Sequence, residues 1–247
     1  MRGNRKKSNA VLAALVCAGV TGLAGCGESA PEQPFGGRSA DEIAARAIEA
    51  TKDAESVRLA GTAHQRGSSV AVDFRVDEQD NCVGTMSGQG AAAEVRQTGR
   101  TVYLKGNEMF WRSALQGRPG TDKTIAQLQG KWVKSAPGQA AGTQGMCDKQ
   151  AALAAMDGDK SERKGMRKGA TTTVEGKEAL ALHKRQPGGE KLTLYVATQG
   201  EPYVLKATTQ GGKTPGELLF TDYNEKVDVA EPPAGQVVDP ATVAMNR

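Results

Sequence analysis

Aromatic residues are scarce in this chain. Four Phe, four Tyr and two Trp supply 4% of its 247 residues. Any core must therefore be built from aliphatic and small side chains, without the large contact area aromatics bring. Histidine is scarcer still, with only His64 and His183. Each falls in a strand-like stretch, so neither reads as a catalytic base. The GxSxG nucleophile elbow and the HExxH zinc helix are missing. Gly88-Gln-Gly90-Ala-Ala-Ala93 imitates a dinucleotide fingerprint. That motif opens a helix within a βαβ unit, whereas these residues lie among alternating strand patterns and read as a turn. Asp157-Gly-Asp159 is too short for a calcium loop. These absences argue against an enzyme and imply no cofactor and no metal.

A long apolar run is also lacking. Residues 10–20 (AVLAALVCAGV) are apolar, but about 20 such residues are needed to cross a bilayer. Arg2, Arg5, Lys6 and Lys7 precede the run, and Leu23-Ala24-Gly25-Cys26 follows it. A basic start, a short apolar segment and small residues at the cut describe a secretory signal. Residues 1–25 are accordingly expected to be removed. No Arg-Arg pair is present, which favours the general secretory route. Leu-Ala-Gly-Cys resembles the bacterial lipobox. That resemblance implies a diacylglycerol on Cys26 and an anchor in the outer face of the cell membrane, where two acyl chains hold stably.

Net charge is lacking as well, once the signal is set aside. The formal +4 arises from 32 basic and 28 acidic residues. Four of the basic residues lie in residues 1–25, which hold no acid, leaving 28 against 28. A neutral chain argues against nucleic acid as a partner, since phosphate contacts require a basic surface. Cysteine shrinks in the same way. Cys17 leaves with the signal and Cys26 takes the lipid, so Cys82 and Cys147 remain as one pair in an oxidising compartment. They are expected to form a disulfide.

What is present is mostly alternation. Residues 26–38, with the lipidated Cys at their head, form a Pro/Gly-rich tether. Ser39-Ala-Asp-Glu42 reads as a capping box, and Ile43, Ala44, Ala47, Ile48 and Thr51 then recur at helical spacing up to about Ala54. The period next switches to two. Val57, Leu59, Gly61 and Ala63 alternate with polar residues, as do Val70, Val72, Phe74 and Val76. Cys82, Gly84 and Met86 continue the pattern, followed by Ala91, Ala93 and Val95, then Val102 and Leu104. Five short strands joined by tight turns describe an antiparallel meander. Short helices are predicted over 107–116 and 122–129, a strand near Trp132, a loop over 135–146 and a helix over 148–156. Lys160, Arg163, Lys164, Arg167 and Lys168 form a basic stretch, offset by Asp157, Asp159 and Glu162. It reads as a solvated loop or as a contact for anionic headgroups. Further strands cover 171–174, 179–184, Leu192–Val196, 203–209 and 217–223. Residues 39–233 make one domain, and 234–247 read as an irregular tail.

Several of these segments resemble the actinobacterial LppX/LprG-type lipoproteins, which share the LolA/LolB-type fold. The ending Leu219-Phe220-Thr-Asp-Tyr223-Asn-Glu-Lys-Val227-Asp-Val229-Ala-Glu-Pro232-Pro233 is similar to their closing strand. Thr193-Leu-Tyr195-Val196 with Glu201-Pro202-Tyr203-Val204-Leu205-Lys206 looks like the paired strands before it, and Val102-Tyr103-Leu104-Lys105-Gly106 followed by Trp111 like the central strand and helix. The resemblance covers most of residues 39–233. It implies an α+β fold, a single curved antiparallel sheet (a half-open barrel) packed on a few helices. It also implies an apolar cavity that binds or carries lipid or lipid-linked glycan across the cell envelope. The expected lining is Val57, Leu59, Val70, Val72, Phe74, Met86, Val102, Leu104, Leu192, Leu194 and Phe220. The small residues of these strands cut two ways: they leave room for a ligand, or they pack tightly and leave none. In the second case the chain is an envelope interaction or sensor protein using the same fold without a cavity.

Overall fold

Residues 35–65, 68–135, 147–150, 164–186, 188–212 and 215–239 are described by a computed structural model. The signal, Cys26, most of the tether, Lys160, Arg163, residues 151–156 and the last eight residues lie outside them.

Helix α1 (Ala40–Asp53) starts where the sequence places it. Ser39 and Glu42 complete the capping box: the Glu42 amide donates to Ser39 Oγ and the Ser39 amide to the Glu42 carboxylate. One face of the helix is buried, carrying Ala40, Ile43, Ala44, Ala47, Ile48 and Thr51. Five strands follow: β1 (Ser56–Gln65), β2 (Ser68–Asp77), β3 (Cys82–Gly88), β4 (Ala91–Thr98) and β5 (Thr101–Gly106). Helices α2 (Glu108–Ala114) and α3 (Thr121–Leu128) lead into β6 (Trp132–Ser135). The second set comprises β7 (Arg167–Val174), β8 (Lys177–Arg185), β9 (Lys191–Ala197), β10 (Val204–Gln210) and β11 (Gly216–Thr221).

Among the described residues all strands join one open sheet, in the order β12-β6-β5-β4-β3-β2-β1-β11-β10-β9-β8-β7. Neighbours are antiparallel except at one edge. There, β12 (Val237–Val238) runs parallel to β6, with Val237 opposite Trp132. This corrects the expectation of an irregular tail from residue 234. A 3-10 turn over Ala234–Gln236 leads into this short strand. A two-residue strand is too short for alternation to reveal it. Strand β7 likewise begins at Arg167, earlier than its apolar pattern, because edge pairing to β8 recruits the basic residues. Open sheets beyond about ten strands curl, and the buried face of this one wraps a single apolar core.

Register puts that core in rows. Phe220, Leu59, Phe74, Gly84, Val95, Leu104 and Val133 lie side by side across β11, β1, β2, β3, β4, β5 and β6. A second row runs through Leu182, Leu194, Ala207, Leu218, Gly61, Val72, Met86, Ala93 and Gly106. The glycines are not vacant. A Cβ on Gly84 would stand 2.5 Å from the Phe74 ring, and one on Gly106 would stand 2.3 Å from the Phe110 ring. Each ring lies in the space its glycine leaves.

Several contacts fasten α1 to the sheet. The Val204 amide donates to Thr51 Oγ1 at 3.0 Å, and Tyr223 donates its hydroxyl to the Val204 carbonyl at 2.5 Å. Tyr203 stacks flat on Tyr223, with ring centroids 4.0 Å apart. Tyr223 as a whole is half-buried, yet desolvation at its hydroxyl pushes the phenol well above its ordinary value. At the C-terminal end of the helix, Lys149 Nζ donates to the Ala54 carbonyl and Gln150 to that of Lys52. Next to these, Cys147 is joined to Cys82, with Cα atoms 5.4 Å apart and both residues in the core.

Two outcomes are expected. Cys82→Ser combined with Cys147→Ser frees a loop spanning 65 positions, and in the chain-entropy model should cost about 4 kcal/mol in urea unfolding. Non-reducing peptide mapping should recover the two cysteines in one fragment, and two alkylatable thiols would contradict the pairing. The raised Tyr223 phenol makes the folded state hold its proton more tightly than the unfolded chain does. Its contribution is therefore complete below the ordinary value of 10.0 and is lost as pH rises beyond it, by up to about 1.4 kcal/mol per pH unit. Tyr223→Phe should flatten that alkaline slope in pH-dependent denaturation.

Candidate functional site

The eleven residues expected to line a cavity all lie against one apolar cluster. Val57, Leu59, Phe74, Met86, Val102, Leu104, Leu194 and Phe220 are buried within it, and Val70, Val72 and Leu192 pack against it half-buried. Antiparallel pairing gives this face two unlike ends. One end carries Val57, Val76, Cys82 and Val102, all nearly inaccessible. The disulfide-bonded segment 147–150 and the C-terminal turn of α1 close it.

The other end is less covered. The C-terminal half of β1, the start of β2 and the starts of β9 and β11 meet here. Val70, Val72, Leu192 and Leu218 are half-buried along it. Ala91 and Phe35 also pack at the margin of the cluster. Met109, on α2, is 51% exposed beside the turn at Gly90. Asn107 fixes that corner. Its carboxamide oxygen accepts from the Phe110 amide at 2.8 Å and the Ala92 amide at 3.1 Å, while its nitrogen donates to the Gly90 carbonyl. The N-cap of α2 and the β3–β4 turn are thus one unit, and the half-exposed apolar residues form a mouth.

Beside the mouth, α2 buries Trp111 in the core. Its ring meets Phe110 edge-on, with centroids 5.1 Å apart. The indole Nε1–H has no acceptor among the described residues. A buried donor without a partner is uncommon in folded proteins and costs about 1–3 kcal/mol. Sequence reasoning listed Trp111 only for its likeness to a family pattern. The unpaired donor depends on side-chain packing that alternation does not encode.

Apart from a small apolar cluster of Val174, Ala179, Ala197 and Leu205, the outer face is polar and mostly self-neutralising. Arg58 grips Asp73 through two nitrogens, at 2.8 and 2.6 Å, and holds that carboxyl below its ordinary value. Arg75 meets Asp222, Lys105 meets Glu94 and Lys206 meets Glu217. A shallow pocket of about 250 Å³ is bordered by Asp73, Arg75, Thr85, Glu94, Arg96 and Trp132. Arg96 lies 4.5 Å above the Trp132 ring and also donates to the Ala230 carbonyl. The chain after β11 crosses to β12 here, which is why Trp132 is buried although it points outward. A second pocket, of about 470 Å³, lies at the ends of β7, β8 and β9. Neither pocket is lined by any of the eleven residues. His64 sits on β1 with Nε2 3.3 Å from Ser69 Oγ, and His183 borders the second pocket. Among the described residues, no group of three or more His, Cys, Asp or Glu is placed to hold a metal.

No family model matches the chain, and no curated protein does. Solved structures do match. The architecture, a large and mostly antiparallel sheet with helices α1, α2 and α3 among the described residues, is that of LprF from Mycobacterium bovis. The TM-score is 0.53 at 17% identity, over 79% of this chain and 97% of that one. The Mycobacterium tuberculosis lipoprotein LppX aligns over 77% of this chain and 97% of its own, at 15% identity and a TM-score of 0.49. The LprF match bears out, at the level of the fold, the likeness to LppX/LprG-type lipoproteins legible in the sequence.

Proposed function

We propose that this chain is a membrane-anchored, extracytoplasmic lipoprotein that binds or carries an acylated lipid or lipid-linked glycan along the inner face of its sheet. The observation that carries this reading is the mouth. Half-buried Val70, Val72, Leu192 and Leu218 lead into a continuous apolar core, and within it the Trp111 N–H has no acceptor among the described residues. An acyl chain supplies about 0.8 kcal/mol for each CH₂ it buries. An ester or amide carbonyl on that chain is the acceptor the indole lacks. The resemblance to LppX/LprG-type proteins supports the same ligand class. The lipobox-like Leu23-Ala24-Gly25-Cys26 and the Cys82–Cys147 disulfide support export and anchorage through Cys26.

One observation favours a second reading. The Phe74 and Phe110 rings fill the space above Gly84 and Gly106, so those small residues serve packing. A fully packed inner face would make the chain an envelope interaction or sensor protein of the same fold.

Native mass spectrometry separates the two. The Cys26→Ala chain, secreted with the rest of the mature sequence intact, should carry a lipid near unit stoichiometry. Leu218→Arg, which places a charge at the mouth, should reduce the bound fraction by about tenfold or more. A clean apo mass for the chain without Leu218→Arg would favour the interaction reading. The anchor is tested by fractionation. The unsubstituted chain should sediment with membranes and Cys26→Ala should appear in the medium, whereas equal partitioning would contradict lipidation.

A further inference from the structure

The 470 Å³ pocket at the ends of β7, β8 and β9 has an unusual lining. Lys164, Gly165, Arg167, His183, Lys184, Arg185 and Lys191 border it, and among the described residues no carboxylate does. Cross-strand register places like charges face to face at Arg185 and Lys191, and sets Arg167 opposite His183. Like charges directly opposite one another destabilise a sheet. On the rest of the outer face the chain avoids this: Arg58 and Arg75 are also opposite each other, but Asp73 and Asp222 neutralise them. Among the described residues, no such carboxylate reaches Arg167, Arg185 or Lys191.

Asp41 and Glu190 are acids of segments adjoining the pocket. Asp41 accepts the amides of Gly165 and Met166, at 3.0 and 2.8 Å. Glu190 lies over Gly212, where a Cβ would stand 2.9 Å from its carboxylate carbon.

Backbone geometry also shapes the pocket. The β7–β8 register shifts between Lys168 and Thr171, an irregularity of the kind that re-aims side chains at sheet edges. Inside it, Gly169 leaves room for the His183 ring. A Cβ at 169 would stand 2.4 Å from His183 Cε1. The ring is thereby set as a wall between Arg167 and Arg185.

Position matters as much as charge. This corner belongs to the same end of the sheet as the apolar mouth, since the start of β9 and the end of β8 meet there. Residues 35–38, the end of the tether, are there too, with Lys168 Nζ 3.4 Å from the Gly36 carbonyl. Gly36 lies ten positions after Cys26 in sequence, a reach of about 35 Å at most.

We propose that this pocket is an anion site that seats a phosphate group, with Arg167, Arg185 and Lys191 as its ligands and His183 as a wall. Guanidinium groups favour phosphate because their forked donors match its oxygens. The phosphate comes either from an anionic lipid headgroup or from solution. The site does not depend on an acyl chain occupying the inner face.

The test uses the secreted Cys26→Ala chain at low ionic strength, where surface electrostatics are least screened. Inorganic phosphate is titrated calorimetrically. Flotation is measured with vesicles of phosphatidylglycerol in phosphatidylcholine against phosphatidylcholine alone. Arg167→Gln with Arg185→Gln and Lys191→Gln is compared with Lys123→Gln, Lys134→Gln and Lys177→Gln, which removes the same charge elsewhere. If the first triple variant melts early, Lys191→Gln alone replaces it. Vesicle binding that requires phosphatidylglycerol and weakens about tenfold or more only in the pocket variant identifies a headgroup site. Saturable binding of inorganic phosphate lost in the same variant, without vesicle preference, identifies a site for free phosphate. No binding of either probe, or equal losses in the two variants, overturns the proposal. Co-purified lipid, read separately by native mass spectrometry, tells this failure from a failure of the carrier reading.

Discussion

The pairing of β1 with β11 is the constraint on which the rest of the structure depends. Two meanders, one from each half of the chain, would each be a small sheet with exposed edges. Arg58 opposite Thr221 and Leu59 opposite Phe220 fuse them. Both apolar faces then become one inner face, whose two rows together reach from β8 to β6. Register is decisive here because a slip by one residue would turn Leu59 and every alternate neighbour outward. Gly61 marks how closely the strands approach. Its φ is +148°, and a Cβ there would stand 2.1 Å from the Glu217 carbonyl oxygen. The junction thus requires glycine at that position.

Fusing the sheets produces polarity along the strands. Every element that closes the inner face acts at one end: the Cys82–Cys147 link, Lys149 on the Ala54 carbonyl, and the Thr51, Val204 and Tyr223 contacts at the end of α1. The opposite end is held mainly by the capped starts of α1 and α2, with Asp41 on the Met166 amide and Asn107 on the β3–β4 turn. Apolar side chains there stay half-buried. Stiffness and access are separated in space, so the disulfide braces the sheet without obstructing the mouth.

Much of this was legible in the sequence because the signals are local. Ser39 and Glu42 announce α1, and period-two alternation announces β1, β2 and β9. All eleven expected lining residues reach one cluster because alternation identifies the buried face directly. Features that depend on distant partners were not legible. Strand β12 consists of two residues fixed by β6. Trp132 points outward and is buried only because the returning chain covers it. The rings that occupy the space over Gly84 and Gly106 come from Phe74 and Phe110, on other elements, so a run of small residues could not say whether it leaves room or is filled. The basic stretch was visible as Lys164, Arg167 and Lys168. His183, Arg185 and Lys191 join that corner through the β7–β8 and β8–β9 registers, which no spacing rule gives.

The charge balance of residues 26–247 needs the same separation of sum from arrangement. Equal numbers of acids and bases rule out a strong overall field, but they leave the local distribution free. Here the distribution is uneven. Carboxylates are spent pairwise against Arg58, Arg75, Lys105, Lys206 and Arg112, and one corner is left with cations opposite cations. Such a corner is too small to follow a nucleic-acid backbone, whose affinity comes from many phosphates spread along a groove. It suits a single compact anion. On the proposed readings, a polar site on the outer face and an apolar one on the inner face share the end of the sheet that also holds the end of the tether, an arrangement suited to an amphipathic ligand at a membrane surface.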